Sequence, residues 1–259
     1  MVLTINHLTC GYGRKIVLDD IHFSIQKGEF LGIIGPNGSG KTTLLRSLTR
    51  VVQPVKGEIL FEGEAVGAIQ PKQLAKKIAV ASQSLFEPHM LVEDFVLLGR
   101  IPHYQSFQLL ETKKDFEVAE RVMRLAGVSD LRNAFMDEIS SGERQLVVIA
   151  RALAQEPSLL LLDEPTAHLD ITHQVQIMDL IKRLNQTLGL TVIVVLHDLN
   201  LASEYCRRLL LIKSGRVHKL GEPRDVLNAQ TIEEVYRTRV HVEKNPLSSK
   251  PYILLTSEE

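Results

Sequence analysis

Two cysteines, Cys10 and Cys206, are all that the 259 residues carry. That excludes a disulfide framework and a multi-thiolate zinc site, and it fits reduced thiols in a cytosolic protein. Neither sign of charge dominates: 30 basic and 31 acidic residues leave a formal net charge of −1. No overall electrostatic drive points toward nucleic acid or an anionic membrane. Long apolar runs are missing too. The longest, LTVIVVL at 190–196, contains a Thr and falls far short of the ~20 residues that span a bilayer. The opening residues, MVLTINHLTC, alternate like a strand and lack the apolar h-region of a signal peptide. Work at a membrane would therefore depend on a partner. There is no internal repeat, low-complexity tract or linker. A composition of 44% hydrophobic and 24% charged residues excludes gross disorder and fibrous folds. The length suits one large α/β core with an inserted subdomain.

Along the chain, residues 2–8 and 17–25 alternate as half-buried strands of an antiparallel layer. Residues 30–34 form a continuous apolar run, predicted to be a buried strand, and 44–52 read as helix. A hairpin is predicted at 57–66, a short helix from Pro71 and a strand at 78–82. From about 86 the character changes. Segments 92–98, 112–126 and 142–155 all show helical spacing, so 86–155 reads as an inserted helical subdomain. Its apolar Phe95, Val96 and Leu97 are candidates for a docking surface, with packing inside the subdomain as the alternative for some of them. Strands return at 159–162 and 191–196 around an amphipathic helix at 171–188, a βαβ unit that implies parallel pairing. A hairpin at 208–220 turns on Ser214-Gly215, and the tail, 222–259, holds two short helices and two short strands. The expected fold is α/β: a P-loop core of 1–85 and 156–259 with a mixed sheet, an antiparallel β layer and the helical insertion.

The strongest chemical signal is GPNGSGKT at 35–42, a full match to G-x-x-x-x-G-K-[ST] between a predicted buried strand and a predicted helix. Gly35, Gly38 and Gly40, with Pro36, Asn37 and Ser39 between them, let successive backbone N–H groups turn around phosphate oxygens. The N-terminus of the helix that follows adds positive partial charge, and Lys41, Thr42 and Thr43 complete the set of nucleotide-binding candidates. Lys41 reaches the β- and γ-phosphates, and the Thr42 hydroxyl is a Mg²⁺ ligand. Further on, LLLLDEP puts Asp163 at the C-terminal end of a buried parallel strand, where it serves Mg²⁺, and Glu164 next to it as general base for water. The chemistry is nucleoside-triphosphate hydrolysis.

The stretch ISSGERQ at 139–145 resembles the LSGGQ-type signature of the ATP-binding cassette (ABC) family. Taken alone, Tyr12 between two glycines is a loop aromatic, Gln83 a polar strand end and His197 a strand cap. The resemblance gives each a role and runs in the family's order over about 3–220. It implies that Tyr12 stacks on adenine and that Gln83, the Q-loop residue, senses the γ-phosphate and Mg²⁺. His168-Leu169-Asp170 becomes the D-loop, and His197 the switch residue on the γ-phosphate. It also implies that Ser140, Ser141, Gly142 and Glu143 form a second phosphate cradle facing the ATP of another copy, so that the protein works as a homodimer. One departure is Ser141, where the family carries glycine.

A narrower resemblance lies in VEDFVLLGRIPH (92–103), VLHDLNLA (195–202) and GEPRDVL (221–227), which look like the ATPases of metal-chelate importers for ferric siderophores, haem and cobalamin. It implies two separate integral-membrane permease subunits docking on the helical subdomain, an indirectly coupled substrate-binding protein, and a peripheral place on the cytoplasmic face of the inner membrane. Generic importer sequence is the alternative, with another cargo. A soluble single-cassette ATPase of cofactor assembly is a rival function. A small-molecule P-loop kinase is another, against which ISSGERQ and His197 argue.

Overall fold

The computed structural model describes residues 1–82, 89–106 and 108–255. Two compact units divide the chain, one of residues 1–69 and 193–259, the other of residues 70–192. The first unit begins with β1 (Leu3–Tyr12), β2 (Lys15–Ile25), β3 (Phe30–Ile34), α1 (Lys41–Leu48), β4 (Pro54–Phe61) and β5 (Glu64–Ala65). The second holds α2 (Pro71–Lys77), β6 (Ile78–Ala81), α3 (Val92–Leu97), α4 (Lys113–Ala126), α5 (Ser141–Ala154), β7 (Leu159–Asp163) and α6 (Ile171–Leu188). The division falls inside β8 (Thr191–Val195). The first unit then resumes with α7 (Leu199–Tyr205), β9 (Arg208–Lys213), β10 (Arg216–Gly221), α8 (Pro223–Val226), α9 (Ala229–Tyr236), β11 (Val240–Lys244) and β12 (Pro251–Leu255).

In the first unit, the alternation read in the N-terminal residues becomes an antiparallel sheet of order β2-β1-β4-β5. Leu3, Ile5, Leu8 and Cys10 of β1 turn inward with Leu18, Ile21 and Ile25 of β2, all fully buried. The strict period breaks at a register shift between Ile5 and Leu8, where His7 takes a φ of 49°. β3, apolar throughout, is buried at every position, as a parallel strand covered on both faces must be. It pairs in parallel with β9, which pairs antiparallel with β10, so the sheet is mixed. Two predicted boundaries move. α1 starts at Lys41 rather than Leu44 and ends at Leu48 rather than 52, because Arg50 adopts a φ of 65° that a helix cannot continue. β4 starts at Pro54, before the predicted hairpin.

In the second unit β6 and β7 pair in parallel, Ile78 opposite Leu159 through Ala81 opposite Leu162. α5 is buried along almost its whole length. α4 opens with a Thr112/Asp115 capping box and closes on Gly127 in the left-handed region. The helix predicted at 92–98 stops at Leu97 and tightens into a 3₁₀ segment, Leu98–His103, containing Pro102, which has no N–H to extend an α-helix. Arg100 of that segment is 2% exposed. Its Nε donates to Asp115 Oδ1 at 3.0 Å, and its Nη1 donates to Ala154 O at 2.7 Å and Glu156 Oε2 at 2.9 Å. One guanidinium thus joins the start of α4 to the end of α5. Phe95, Val96 and Leu97, read as docking candidates, are instead buried in the packing of α3; the exposed apolar side chains nearby are Leu98, Ile101, Leu109 and Leu110. Segment 86–155 lies within this unit, which also takes in α2, β6, β7 and α6. No helix among the described residues is long and apolar enough to cross a membrane.

Candidate functional site

In the first unit β3 delivers the chain into the glycine-rich loop. Gly35, Gly38 and Gly40 all have positive φ, at 148°, 75° and 107°. Gly35 also has no room for a side chain: a Cβ would overlap the Ile212 carbonyl oxygen and lie 2.9 Å from Ser39 Oγ. Lys41 is 5% exposed, and its ammonium donates to the carbonyls of Gly35 at 2.8 Å and Pro36 at 3.1 Å, which curls the side chain back along the loop. α1 has Gly40 as N-cap, a residue with no side chain to cap the helix. The Ser39 hydroxyl is buried with no hydrogen-bond partner among the described residues. A glycine-rich turn at a helix N-terminus, an orphaned hydroxyl and a buried ammonium are what a polyphosphate satisfies. The residues present therefore fit a nucleotide.

The loop is braced from elsewhere in the same unit. Gly215, in the β9–β10 turn, donates to Ser39 O at 3.0 Å and accepts from Asp19 N at 2.8 Å. Tyr236 of α9 hydrogen-bonds the Gly35 backbone; burial pushes its phenol well above the usual range, and that bond pulls the other way. Glu234, two residues earlier in α9, accepts from Lys213 of β9 at 3.0 Å. Tyr12 ends β1 with its ring 46% exposed. Its hydroxyl accepts from Arg46 Nη1 at 3.2 Å and bonds the Thr43 side chain, which, with Arg46, lowers the phenol's pKa. The polar end is tethered to α1 and the ring face is left open, the arrangement a stacking platform needs. Leu196 N donates to Ile33 O at 3.1 Å, which puts the exposed His197 at the end of β3 where the loop begins. Asp198 caps α7, accepting from the amides of Asn200 and Leu201.

In the second unit, β7 is buried up to Leu162 and ends on the half-buried Asp163 and Glu164. Glu164 has a φ of 53°, a left-handed backbone that costs a non-glycine residue about 1–2 kcal/mol. Asp170 caps α6, accepting from His173 N at 2.9 Å. The Gln174 side chain donates to Leu169 O at 3.0 Å, fixing that carbonyl just before the cap. The signature helix starts at Ser141, not Gly142, with the exposed Ser140 as N-cap. Ser140 and Glu143 form a capping box: the Ser140 hydroxyl and amide donate to Glu143 Oε2 at 2.7 and 2.9 Å. Those bonds, the hydroxyl's foremost, lower the Glu143 pKa. Ser141 is exposed at the first helical position. Gln145 is 2% exposed with neither amide atom paired among the described residues.

The structure thus brings Tyr12, Gly35 to Thr43 and His197 together in one unit. It sets Ser140 to Glu143, Asp163, Glu164 and Asp170 on elements of the other. Gln83 lies outside the described residues. Among the described residues no group of three or more His, Cys, Asp or Glu side chains could hold a metal ion alone. Sequence reasoning missed Gly215, Tyr236, His173 and Gln174. Asp170 and His173, spaced i, i+3 at a helix start, were a readable cue for one of them. Gly215 and Tyr236 act across long separations that no local pattern reports.

A protein-family model described as "ABC transporter" matches residues 18–167. The ferric enterobactin transport ATP-binding protein FepC of Escherichia coli (strain K12) is 37% identical, over 95% of this chain and 91% of its own length. Among solved structures, a metal-chelate type ABC transporter in an inward-facing conformation superposes with a TM-score of 0.85 at 27% identity, covering 97% of this chain and 95% of that one. The cassette MJ0796, as a post-hydrolysis dimer bound to ADP and Pi, superposes with a TM-score of 0.74 at 30% identity, covering 85% of this chain and 98% of that one. The chain belongs to the ABC transporter family as an ATP-hydrolysing cassette.

Proposed function

We propose that this chain is the ATP-hydrolysing motor of an importer for a metal chelate: a ferric siderophore, haem or cobalamin. The observation that carries it is the Lys41 loop, with its orphaned Ser39 hydroxyl, in a chain similar end to end to FepC and to a metal-chelate type transporter. The loop amides and Lys41 hold the β- and γ-phosphates, and Tyr12 carries the base. Thr42, Gln83 and Asp163 are the residues that would hold Mg²⁺, which when bound offsets charge on the phosphates. Glu164 takes a proton from the attacking water and His197 orients the γ-phosphate. Ser140, Ser141, Gly142 and Glu143 meet the nucleotide of a second copy, so that two ATP molecules hold a homodimer closed. Two permease subunits dock on the helical segment 86–155, where Leu98, Ile101, Leu109 and Leu110 are exposed. They hold the chain at the cytoplasmic face of the membrane.

Replacing Glu164 separates binding from chemistry. Glu164→Gln keeps shape and removes the base, so turnover should fall by about 10²–10⁴-fold while ATP still binds. The variant should accumulate as a dimer that depends on Mg²⁺-ATP, read by size-exclusion chromatography with light scattering. Ser141→Gly in the same background measures what the serine costs or adds. If both proteins stay monomeric while binding ATP, the two-copy reading is wrong. For the cargo, chelate uptake into cells lacking this chain should return with the wild type and not with Glu164→Gln; uptake that is indifferent to the chain refutes the importer reading.

A further inference from the structure

His173 is the side chain on which the D-loop and the signature helix meet. Its Nδ1 lies 2.9 Å from both carboxylate oxygens of Asp170, and its own N–H donates to Asp170 Oδ1 at 2.9 Å. The ring's orientation is therefore set by a carboxylate that is itself fixed at the N-cap of α6. The opposite edge of the ring lies against Gly142. A Cβ at Gly142 would sit 2.5 Å from His173 Cγ and 2.7 Å from Nε2, and nearer still to Cδ2. Gly142 lies within the first turn of α5 with no left-handed φ, so glycine is required there for close approach and not for backbone freedom. The next residue, Glu143, accepts from the Ser140 hydroxyl and amide. On the other side of His173, Gln174 grips Leu169 of the D-loop.

We infer that His173 is a positioning residue, which transmits the placement of Asp170 to the first turn of α5 and so sets how Ser140 and Gly142 are presented to the partner copy's nucleotide. The contact has no slack: ring carbon rests on backbone with no intervening side chain, and close-packed contacts pass displacement on rather than absorbing it. Movement of Asp170 carries the ring with it, and the ring bears on the end of α5 that the second phosphate site uses. The inference rests on the two-copy reading of the signature, and its test is arranged to fail separately from that reading.

In the Glu164→Gln background, His173→Ala removes ring and tether, while His173→Phe keeps a ring against Gly142 and loses only the bond to Asp170. Both should raise the protein concentration needed for the Mg²⁺-ATP dimer by about 10- to 100-fold, the scale of a small misplacement in a preorganised site. ATP affinity of the monomer, set by the Lys41 loop, should stay within about twofold, as for distant independent sites. In the wild-type background both should lower kcat with KM unchanged, and His173→Phe should keep the parent's melting temperature. Dimerisation equal to the parent's in both variants overturns the inference. A parallel loss of dimer, ATP affinity and thermal stability overturns it as well, because a merely structural role produces that pattern. A parent Glu164→Gln that itself never dimerises removes the two-copy reading, and this inference with it.

Discussion

Asp115→Asn offers a test of the packing that holds the signature-bearing helix. Burial by itself would raise this carboxyl's pKa, but the amide and hydroxyl of Thr112 and the guanidinium of Arg100 more than offset that and hold it at about 2, against an ordinary 3.8. The difference corresponds to about 2.5 kcal/mol of folding stability at neutral pH. Removing one partner of a buried ion pair costs roughly 3–5 kcal/mol when the other is left uncompensated. Arg100 keeps Ala154 O and Glu156, so the lower figure governs. A carboxyl with a depressed folded pKa stabilises fully above its unfolded value and loses that stabilisation as pH falls through the folded one. In the wild type the contribution is complete at pH 5 and above, and at pH 3 about half of it, roughly 1.3 kcal/mol, remains. Urea unfolding of wild type and Asp115→Asn at pH 7, 5 and 3 measures this directly. The gap should be about 2–3 kcal/mol at the two higher pH values and close by about half at pH 3. A gap below about 0.5 kcal/mol at pH 7, or one that ignores pH, refutes the assignment of the stabilisation to the Asp115 charge.

Tyr12→Ala should weaken ATP binding by about 1–3 kcal/mol and GTP binding similarly, since every base has a π-face; titration calorimetry reads it, and an unchanged affinity returns Tyr12 to an ordinary loop residue. Gly35→Ala should abolish nucleotide binding, because its Cβ would overlap Ile212 O; retained affinity in equilibrium dialysis would contradict the loop geometry. Lys41→Ala should do the same by removing the loop's buried ammonium, and an unchanged ATPase rate would dismiss the phosphate assignment. Gln83→Ala should uncouple hydrolysis from uptake in reconstituted vesicles while sparing ATP affinity, and an equal loss of both would point to a structural role.

Much of this was legible in the sequence because local pattern and packing agree. The apolar run of β3 marks a covered strand, the GPNGSGKT spacing has few uses other than phosphate, and α6 keeps the bounds its periodicity gave, from an Asp cap to a glycine stop. What was not legible depends on partners distant in the chain. Nothing near Tyr236 signals its bond to Gly35, and nothing near Gly142 says that its missing side chain makes room for a histidine 31 positions later. Hydrophobicity also misled locally. Phe95, Val96 and Leu97 look like surface anchors in an insertion, yet the same apolarity buries them, and only three-dimensional packing decides which of an apolar cluster stays outside. The start of α1 was missed because Lys41, Thr42 and Thr43 carry no apolar period.

The β9–β10 turn has a consequence for the order of synthesis. Gly215 holds Ser39 by its amide and Asp19 by its carbonyl, so two early segments of the chain are pinned by a residue made some 175 positions after the loop it supports. A ribosome extends the chain from the N-terminus at about 5–20 residues per second. The glycine-rich loop therefore waits, fully translated, for roughly ten seconds or more before its brace exists. During that interval the loop lacks the bond that Gly215 supplies to Ser39. Nucleotide capture becomes a late event that reports the arrival of the C-terminal hairpin, and chains stopped before Gly215 should emerge unable to retain ATP.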